Sequence, residues 1–343
     1  MKKKLFVVFT MVSACLLSCK TGKVITEKNT VAEDKIIVAY LTSWKDIIPE
    51  TQYITHINYA FGHVNNTFDG VIINNEERLR SIAKLKNKNL KILLSIGGWG
   101  SGRFSEMAAS DSLRNKFALD CKRVLNEFEI DGIDIDWEYP TVGAAKISHS
   151  PEDIDNYTLM MRDLRNAIGN DKLLTLASSA RGKYIDFKAI EPYIDFVNIM
   201  TYDMDESPKH HSAMYRSEHT GEMSCEESVN AHLATGLPAS KLVLGIPFYG
   251  RARGELGRSA SYNKIITLEN YTQMWDDIAK CPYIVDTVGN IVCSYENPQS
   301  IKIKCKYVID NGLRGIMYWE YSHDDTEGTL RKSVYNELRH NGK

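Results

Sequence analysis

The chain has 343 residues, 43% of them hydrophobic and 25% charged, with a formal net charge of −2. That length holds one large core or two ordinary domains, and the composition is that of a globular protein. A nearly neutral chain lacks the basic field that nucleic acid binding requires, so nucleic acid is excluded as a partner.

Three lysines, Lys2, Lys3 and Lys4, precede an apolar stretch over residues 5–17 that is too short to span a bilayer. It ends in Leu16-Leu17-Ser18-Cys19, which resembles a bacterial lipobox, where signal cleavage leaves a lipid-bearing cysteine. Residues 1–18 are expected to be a lipoprotein signal peptide, Cys19 the lipidation site, and residues 19–34 a polar tether. This places the protein in the bacterial cell envelope, periplasmic or at the cell surface, held to the membrane through Cys19. The alternative is an ordinary secretory signal in which Cys19 is incidental.

From residue 35 onward, eight short β-rich apolar runs alternate with helical patterns. The runs cover residues 36–41, 54–61, 91–96, 132–137, 173–178, 196–202, 242–248 and 315–319. Helical patterns cover about 75–89, 111–128, 152–169, 187–192, 225–236 and 298–312. Such alternation predicts parallel strands joined by crossover helices. Eight strands over about 300 residues fit an α/β fold of the closed (β/α)8 TIM barrel type. A doubly wound open sheet is the second reading. It needs a glycine-rich turn after the first strand, and Leu41-Thr42-Ser43-Trp44 is not one.

Residues 250–294 interrupt the pattern and predict a short α+β insertion between strands seven and eight. Its expected parts are a segment at 262–266, a helix over 271–279 and a hairpin over 283–295. Five of the seven cysteines lie beyond the leader and tether: Cys121, Cys225, Cys281, Cys293 and Cys305. Cys281 and Cys293 flank the Gly289-Asn290 turn, so either a bridge across the hairpin or buried free thiols fits them. No C-x-x-C pair marks a zinc site. His210, His211 and His219, and the later His323-Asp324-Asp325, lack helical H-E-x-x-H spacing and read as solvated loop residues, so neither metal nor cofactor is expected.

The fourth run carries four acids in eight residues: Asp131, Asp134, Asp136 and Glu138. Strand side chains alternate faces, so Asp134, Asp136 and Glu138 stack on one face, with Ile133 and Ile135 on the other. Carboxylates packed this way disfavour one another's ionisation, so at least one is expected to hold a proton near neutral pH. Barrel active sites sit at the C-terminal strand ends. Those ends read Ser95-Ile96-Gly97-Gly98-Trp99, Asp136-Trp137-Glu138-Tyr139, Met200-Thr201-Tyr202-Asp203, Pro247-Phe248-Tyr249-Gly250-Arg251 and Trp319-Glu320. Polar and aromatic groups thus collect at one rim.

These residues resemble glycoside hydrolase family 18, the chitinases and their relatives. D-x-x-D-x-D-x-E is met by Asp131, Asp134, Asp136 and Glu138, S-x-G-G by Ser95, Gly97 and Gly98, and M-x-Y-D by Met200, Tyr202 and Asp203. The resemblance runs from about residue 36 to 330. It implies a retaining hydrolase of β-1,4-linked N-acetylglucosamine polymers, in which the substrate's own acetamido oxygen attacks the anomeric carbon. Glu138 would be the general acid and then base. Asp136 would hold the acetamido N–H, and Asp134 would share a proton with Asp136, with Ser95 and Tyr40 as its hydrogen-bond partners. Asp131 would tie strand ends together.

Tyr202 would hold the acetamido oxygen, Asp203 would contact the same sugar, Trp319 would form the base under the ring, and Met200 the floor. Trp99 and Phe61 are candidate stacking platforms, and Tyr249 and Arg251 further cleft residues. For Met200, Trp319, Trp99 and Phe61, simple packing is the competing reading. The expected partners are chitin or another N-acetylglucosamine-containing glycan and, through Cys19, a membrane; the protein is expected to act as a monomer. Two rival functions are an endo-β-N-acetylglucosaminidase cutting the chitobiose core of N-glycans and a non-catalytic carbohydrate-binding protein of the same fold.

Overall fold

A computed structural model describes residue 1 and residues 35–340. The leader, the tether and Cys19 lie outside the described residues. Eight parallel strands form the barrel: β1 Ile36–Thr42, β2 His56–Val64, β3 Lys91–Gly97, β4 Gly132–Asp136, β5 Leu173–Ser179, β6 Phe196–Met200, β7 Leu242–Pro247 and β8 Gly315–Trp319. Each pairs with the next, and β8 pairs with β1, so the sheet closes. All eight runs expected from the sequence are strands, and the closed parallel barrel replaces the open-sheet alternative.

Strand alternation divides the apolar residues between two cores. Ile133, Ile135, Leu174, Leu176, Val197 and Ile199 point outward beneath the helices. Val38, Tyr40, Ala60, Phe196, Val243 and Met317 fill the barrel interior. The helices begin where capping side chains satisfy free amides. Ser110 accepts from Leu113 N at the start of Asp111–Glu127. Ser224 and Glu227 form a reciprocal capping box before Cys225–Ala234. Asn297 caps Pro298–Asp310, with proline at its first turn, where no amide hydrogen is needed. Among the described residues, no helix is long and apolar enough to cross a membrane.

The insertion leaves β7 at once. Tyr249–Ala252, Ser259–Ser261, Thr272–Asp276, Cys281–Val285 and Ile291–Ser294 form a five-stranded sheet, antiparallel in each of its pairings. One expectation fails here, and one open choice is decided. The helix expected over 271–279 is instead the strand Thr272–Asp276, paired in register with Cys281–Val285. An isolated helix of nine residues is marginal, whereas the hairpin gives these amides partners at once. Of the two readings open for Cys281 and Cys293, the structure has free thiols and no bridge: Cys293 lies opposite Ile284, and Cys281 opposite Asp276. The cross-strand register, set by the turn, keeps the two sulfurs apart, and all five described cysteines are buried free thiols.

Elements with no counterpart in the sequence reading include the helix Phe104–Ala108, the C-terminal helix Thr329–His340, the strand Ser259–Ser261 of the insertion, and Val71–Ile73, which pairs antiparallel with the end of β2.

Candidate active site

The strongest polar feature of the barrel interior is a layer built around Asp134. Register places Ser95 of β3 and Thr175 of β5 directly beside it. Four donors converge on its carboxyl: Tyr40 Oη at 2.7 Å and Ser95 Oγ at 2.8 Å reach Oδ2, while Thr175 Oγ1 at 2.6 Å and Asn198 Nδ2 at 3.2 Å reach Oδ1. Burial pushes Asp134 up from its ordinary pKa, and these hydrogen bonds pull against it. No hydrogen bond joins Asp134 to Asp136 among the described residues. The hydrogen bonds of Asp134 come instead from four donors on β1, β3, β5 and β6.

One pleat higher, Asp136 is also buried, yet its Oδ1 finds no protein hydrogen-bond partner. Burial raises its pKa well above the ordinary carboxylate value, and the charges of Glu138 and Asp134 add to the rise. Glu138 follows two residues later, just past the strand end. Burial lifts it to about 7, against a hydrogen bond from Tyr139 and with help from the charge of Asp203. Both carboxyls move the same way because burial penalises the charged form of each; at Asp136 the charges of Glu138 and Asp134 add to it, and at Glu138 the charge of Asp203 does. The pair can hold one proton near neutral pH and deliver it from the upper member. Trp137 points outward between them, stacking on Phe104 at 5.3 Å and on Tyr157 at 5.9 Å.

Asp136 and Glu138 open into a cleft of about 970 Å³. Tyr40, Phe61, Trp99, Met200, Tyr202 and Trp319 line it, as do Asp203, Tyr249 and Arg251. Ser95 and Asp134 lie below its floor. Asp131 lies at the other end of the strand, where its Oδ2 accepts from Ile92 N at 2.9 Å and its Oδ1 faces Lys86 and Lys91 at 3.7 Å, a tie between strand ends.

The aromatic wall is layered. Phe61 stacks on Trp319 at 5.6 Å and 20°, and Tyr40 meets Trp319 at 5.6 Å. Phe61 is only 8% exposed, so it backs Trp319 more than it offers a face of its own, whereas Trp99 is 66% exposed at the rim. The backbone makes room for this wall at Gly98, whose φ is +91°; a Cβ there would come within 2.6 Å of the Phe61 ring. Tyr202 is buried, with its hydroxyl 3.7 Å from the Met317 sulfur, a weak acceptor that a stronger one would replace.

Asp203 is held from the insertion side. Tyr249 Oη donates to it at 2.6 Å, Arg251 grips both oxygens, and His211 Nδ1 lies 3.4 Å away. Burial opposes its charge, but the hydrogen bonds from His211 and Arg251 outweigh that and hold the carboxyl well below the usual range. His210 and His211 are fully buried, not solvated as their loop position predicts. His210 Nε2 meets Asp276 Oδ2 at 3.1 Å, which ties the loop to the insertion. No cluster of potential metal ligands occurs among the described residues.

Several site residues have no place in the sequence reading. Thr175 and Asn198 are isolated polar residues within β5 and β6, and the only signal they carry in sequence is a polar side chain inside an apolar run. Trp44, Tyr184, Arg181 and Glu222 line the cleft from loops, where no periodicity marks them. Tyr184 stacks on Tyr139 at 5.4 Å, and Arg181 pairs with Glu222.

The sequence matches the profile of Glycosyl hydrolases family 18 across residues 36–324. This chain belongs to glycosyl hydrolase family 18. Chitinase A1 of Niallia circulans is 32% identical over 323 residues, a match spanning 80% of this chain and 45% of that protein. Probable chitinase 2 of Drosophila melanogaster is 29% identical, over 87% of this chain and 74% of its own length. Among solved structures, a family 18 N-acetylglucosaminidase from Paenibacillus barengoltzii superposes with a TM-score of 0.81 at 31% identity, covering 88% of this chain and 99% of that one. The family 18 protein described here is an enzyme, a glycoside hydrolase of chitinase type.

Proposed function

We propose that this family 18 enzyme cleaves β-1,4-linked N-acetylglucosamine polymers, chitin and its oligosaccharides, with retention of configuration and through the substrate's own acetamido group. The observation that carries this reading is the placement of Asp136 at the last position of β4 and Glu138 two residues beyond it, both lining the one cleft that Tyr202 and Trp319 also line. Glu138 protonates the departing glycosidic oxygen and then draws the proton from the incoming water. Asp136 accepts the acetamido N–H with the oxygen that has no protein partner and offsets the positive charge that develops on the ring. Tyr202 turns its hydroxyl from Met317 to the acetamido oxygen and holds that oxygen beneath the anomeric carbon. Trp319, backed by Phe61, supports the apolar face of the sugar. Trp99 at the rim and Met200, Asp203, Tyr249 and Arg251 around the cleft complete its walls.

NMR of the first-formed anomer, together with product analysis on chitin oligomers of increasing length, tests the reading. An inverted first product sinks it. Release of single N-acetylglucosamine units from chain ends instead favours the exo mode, which the resemblance to the N-acetylglucosaminidase supports. Cleavage of an N-glycoprotein in preference to chitin oligomers favours the endo-β-N-acetylglucosaminidase reading. We also propose that the enzyme is anchored in a bacterial envelope by lipid at Cys19 and acts as a monomer. Mass spectrometry of the membrane fraction, comparing wild type with Cys19→Ala, tests the anchor.

A further inference from the structure

Lys304 is a fully buried cation far from solvent, and the reaction outlined above does not use it. It projects from the helix Pro298–Asp310 toward the loop that follows β6. Its ammonium has three hydrogens and three acceptors: Glu296 Oε1 at 2.5 Å, and Ser212 O and Ser212 Oγ, each at 2.7 Å. Glu296 is fixed in turn by Ser300 Oγ at 2.6 Å. Burial works against the charge, but the Cys225 sulfur and the Glu296 carboxylate together outweigh it, and the amine is pushed up to about 12.

Burying an ion pair is a poor way to gain stability, since well-packed apolar residues of similar volume often do as well or better. What this pair does is geometric. Ser212 Oγ donates to the carbonyl of Thr201 at 2.7 Å, and Thr201 Oγ1 donates to Gly245 O at 2.6 Å. Thr201 lies between Met200 and Tyr202, so its peptide sets the direction in which Tyr202 leaves β6. The residue just before Ser212, His211, reaches Asp203 from the same loop, and Ser294 Oγ accepts from the His211 amide at 3.1 Å. The Tyr202 ring packs directly over Gly245, where an added Cβ would approach the ring to 3.0 Å.

We propose that Lys304, locked to Glu296 beneath the loop after β6, is a positioning residue: by holding Ser212, it fixes the Thr201–Asp203 turn and so the placement of the Tyr202 hydroxyl. This rests on the reading of Tyr202 as the group that orients the acetamido oxygen. Positioning errors of this kind act on the transition state more than on ground-state binding, so kcat suffers before KM.

A double-mutant cycle tests it, read by kcat and KM on a chromogenic chitooligosaccharide, with melting temperature measured alongside. Ser212→Ala removes the link to Thr201 and leaves the ion pair in place. Lys304→Met/Glu296→Leu replaces the pair with apolar groups of similar volume. Each is expected to lower kcat about tenfold with KM within about twofold, and to cost less than about twofold when Tyr202 is already phenylalanine. Wild-type kcat in both Ser212→Ala and the Lys304→Met/Glu296→Leu enzyme overturns the proposal. So does a full tenfold loss in the Tyr202→Phe background, which shows the effect does not pass through that hydroxyl. A Tyr202→Phe enzyme with undiminished kcat overturns the reading of Tyr202 itself, and the proposal with it, a result separate from the first two.

Discussion

Asp134 and Asp136 are two residues apart on one strand and face the same interior, yet Asp134 receives four hydrogen bonds while one oxygen of Asp136 receives none from the protein. The lower carboxyl is a finished piece of structure; the upper one is left open to the cleft. Substitution separates the two. Asp134→Asn turns an N–H toward donors, and is expected to cost about 1–3 kcal/mol and several degrees of melting temperature. Asp136→Asn removes a poorly solvated acid, so the melting temperature is expected to hold or rise while kcat falls about a hundredfold. Differential scanning calorimetry with steady-state kinetics distinguishes the pair. Equal losses of stability would contradict this division.

Replacing Glu138 with glutamine keeps the shape and removes the transferable proton. The expected loss in kcat is about 10³-fold, in line with general acid catalysis, with oligosaccharide affinity kept near wild type. Kinetics and isothermal titration on the same preparation check both halves of that statement.

The pH dependence of stability follows from the same group. Glu138 binds its proton more tightly in the folded chain, with a pKa of about 7 against an ordinary 4.5. Between these values the folded state holds more protons than the unfolded state, so stability falls as pH rises. The contribution is complete below pH 4.5 and gone above about 7. Melting temperature measured from pH 4.5 to 8 should therefore decline more steeply for wild type than for Glu138→Gln. Activity should also drop as pH rises past about 7, as the acid form is lost.

Gly98→Ala tests the aromatic wall. The left-handed backbone and the 2.6 Å approach to Phe61 leave no room for a methyl group, so the ring must shift and its stack on Trp319 must open. A rise in KM for oligosaccharides of about fivefold or more, with a melting temperature lower by a few degrees, is expected. Tryptophan fluorescence should report the changed surroundings of Trp319.

Much of this molecule was legible before any coordinates. The eight apolar runs became the eight barrel strands because burial on both faces of a parallel strand leaves a strong signal. Asp136, Glu138, Tyr202 and Trp319 meet in one cleft because strand ends share a rim. What stayed hidden shares a cause as well. The strand at Thr272–Asp276, and the choice between a bridge and free thiols at Cys281 and Cys293, depend on pairing partners, which single-chain periodicity does not reveal. His210 and His211 sit in a polar loop, and only the packing of the insertion over that loop buries them. Thr175 and Asn198 escaped notice for a different reason: an isolated polar residue inside a strand says little until the register sets it beside Asp134.

The clamp on Asp203 belongs to the insertion, not to the barrel. Tyr249 and Arg251 are residues of the insertion's first strand, Tyr249–Ala252, which pairs with Ser259–Ser261 and Ile291–Ser294. Trimming this enzyme to a minimal barrel by excising the loop between β7 and β8 would therefore strip two side chains from the cleft and leave Asp203 without them. Grafting that loop onto a relative would carry part of the cleft wall along with it. Anyone engineering this scaffold should treat the excursion as a wall of the cleft rather than as an ornament on its edge.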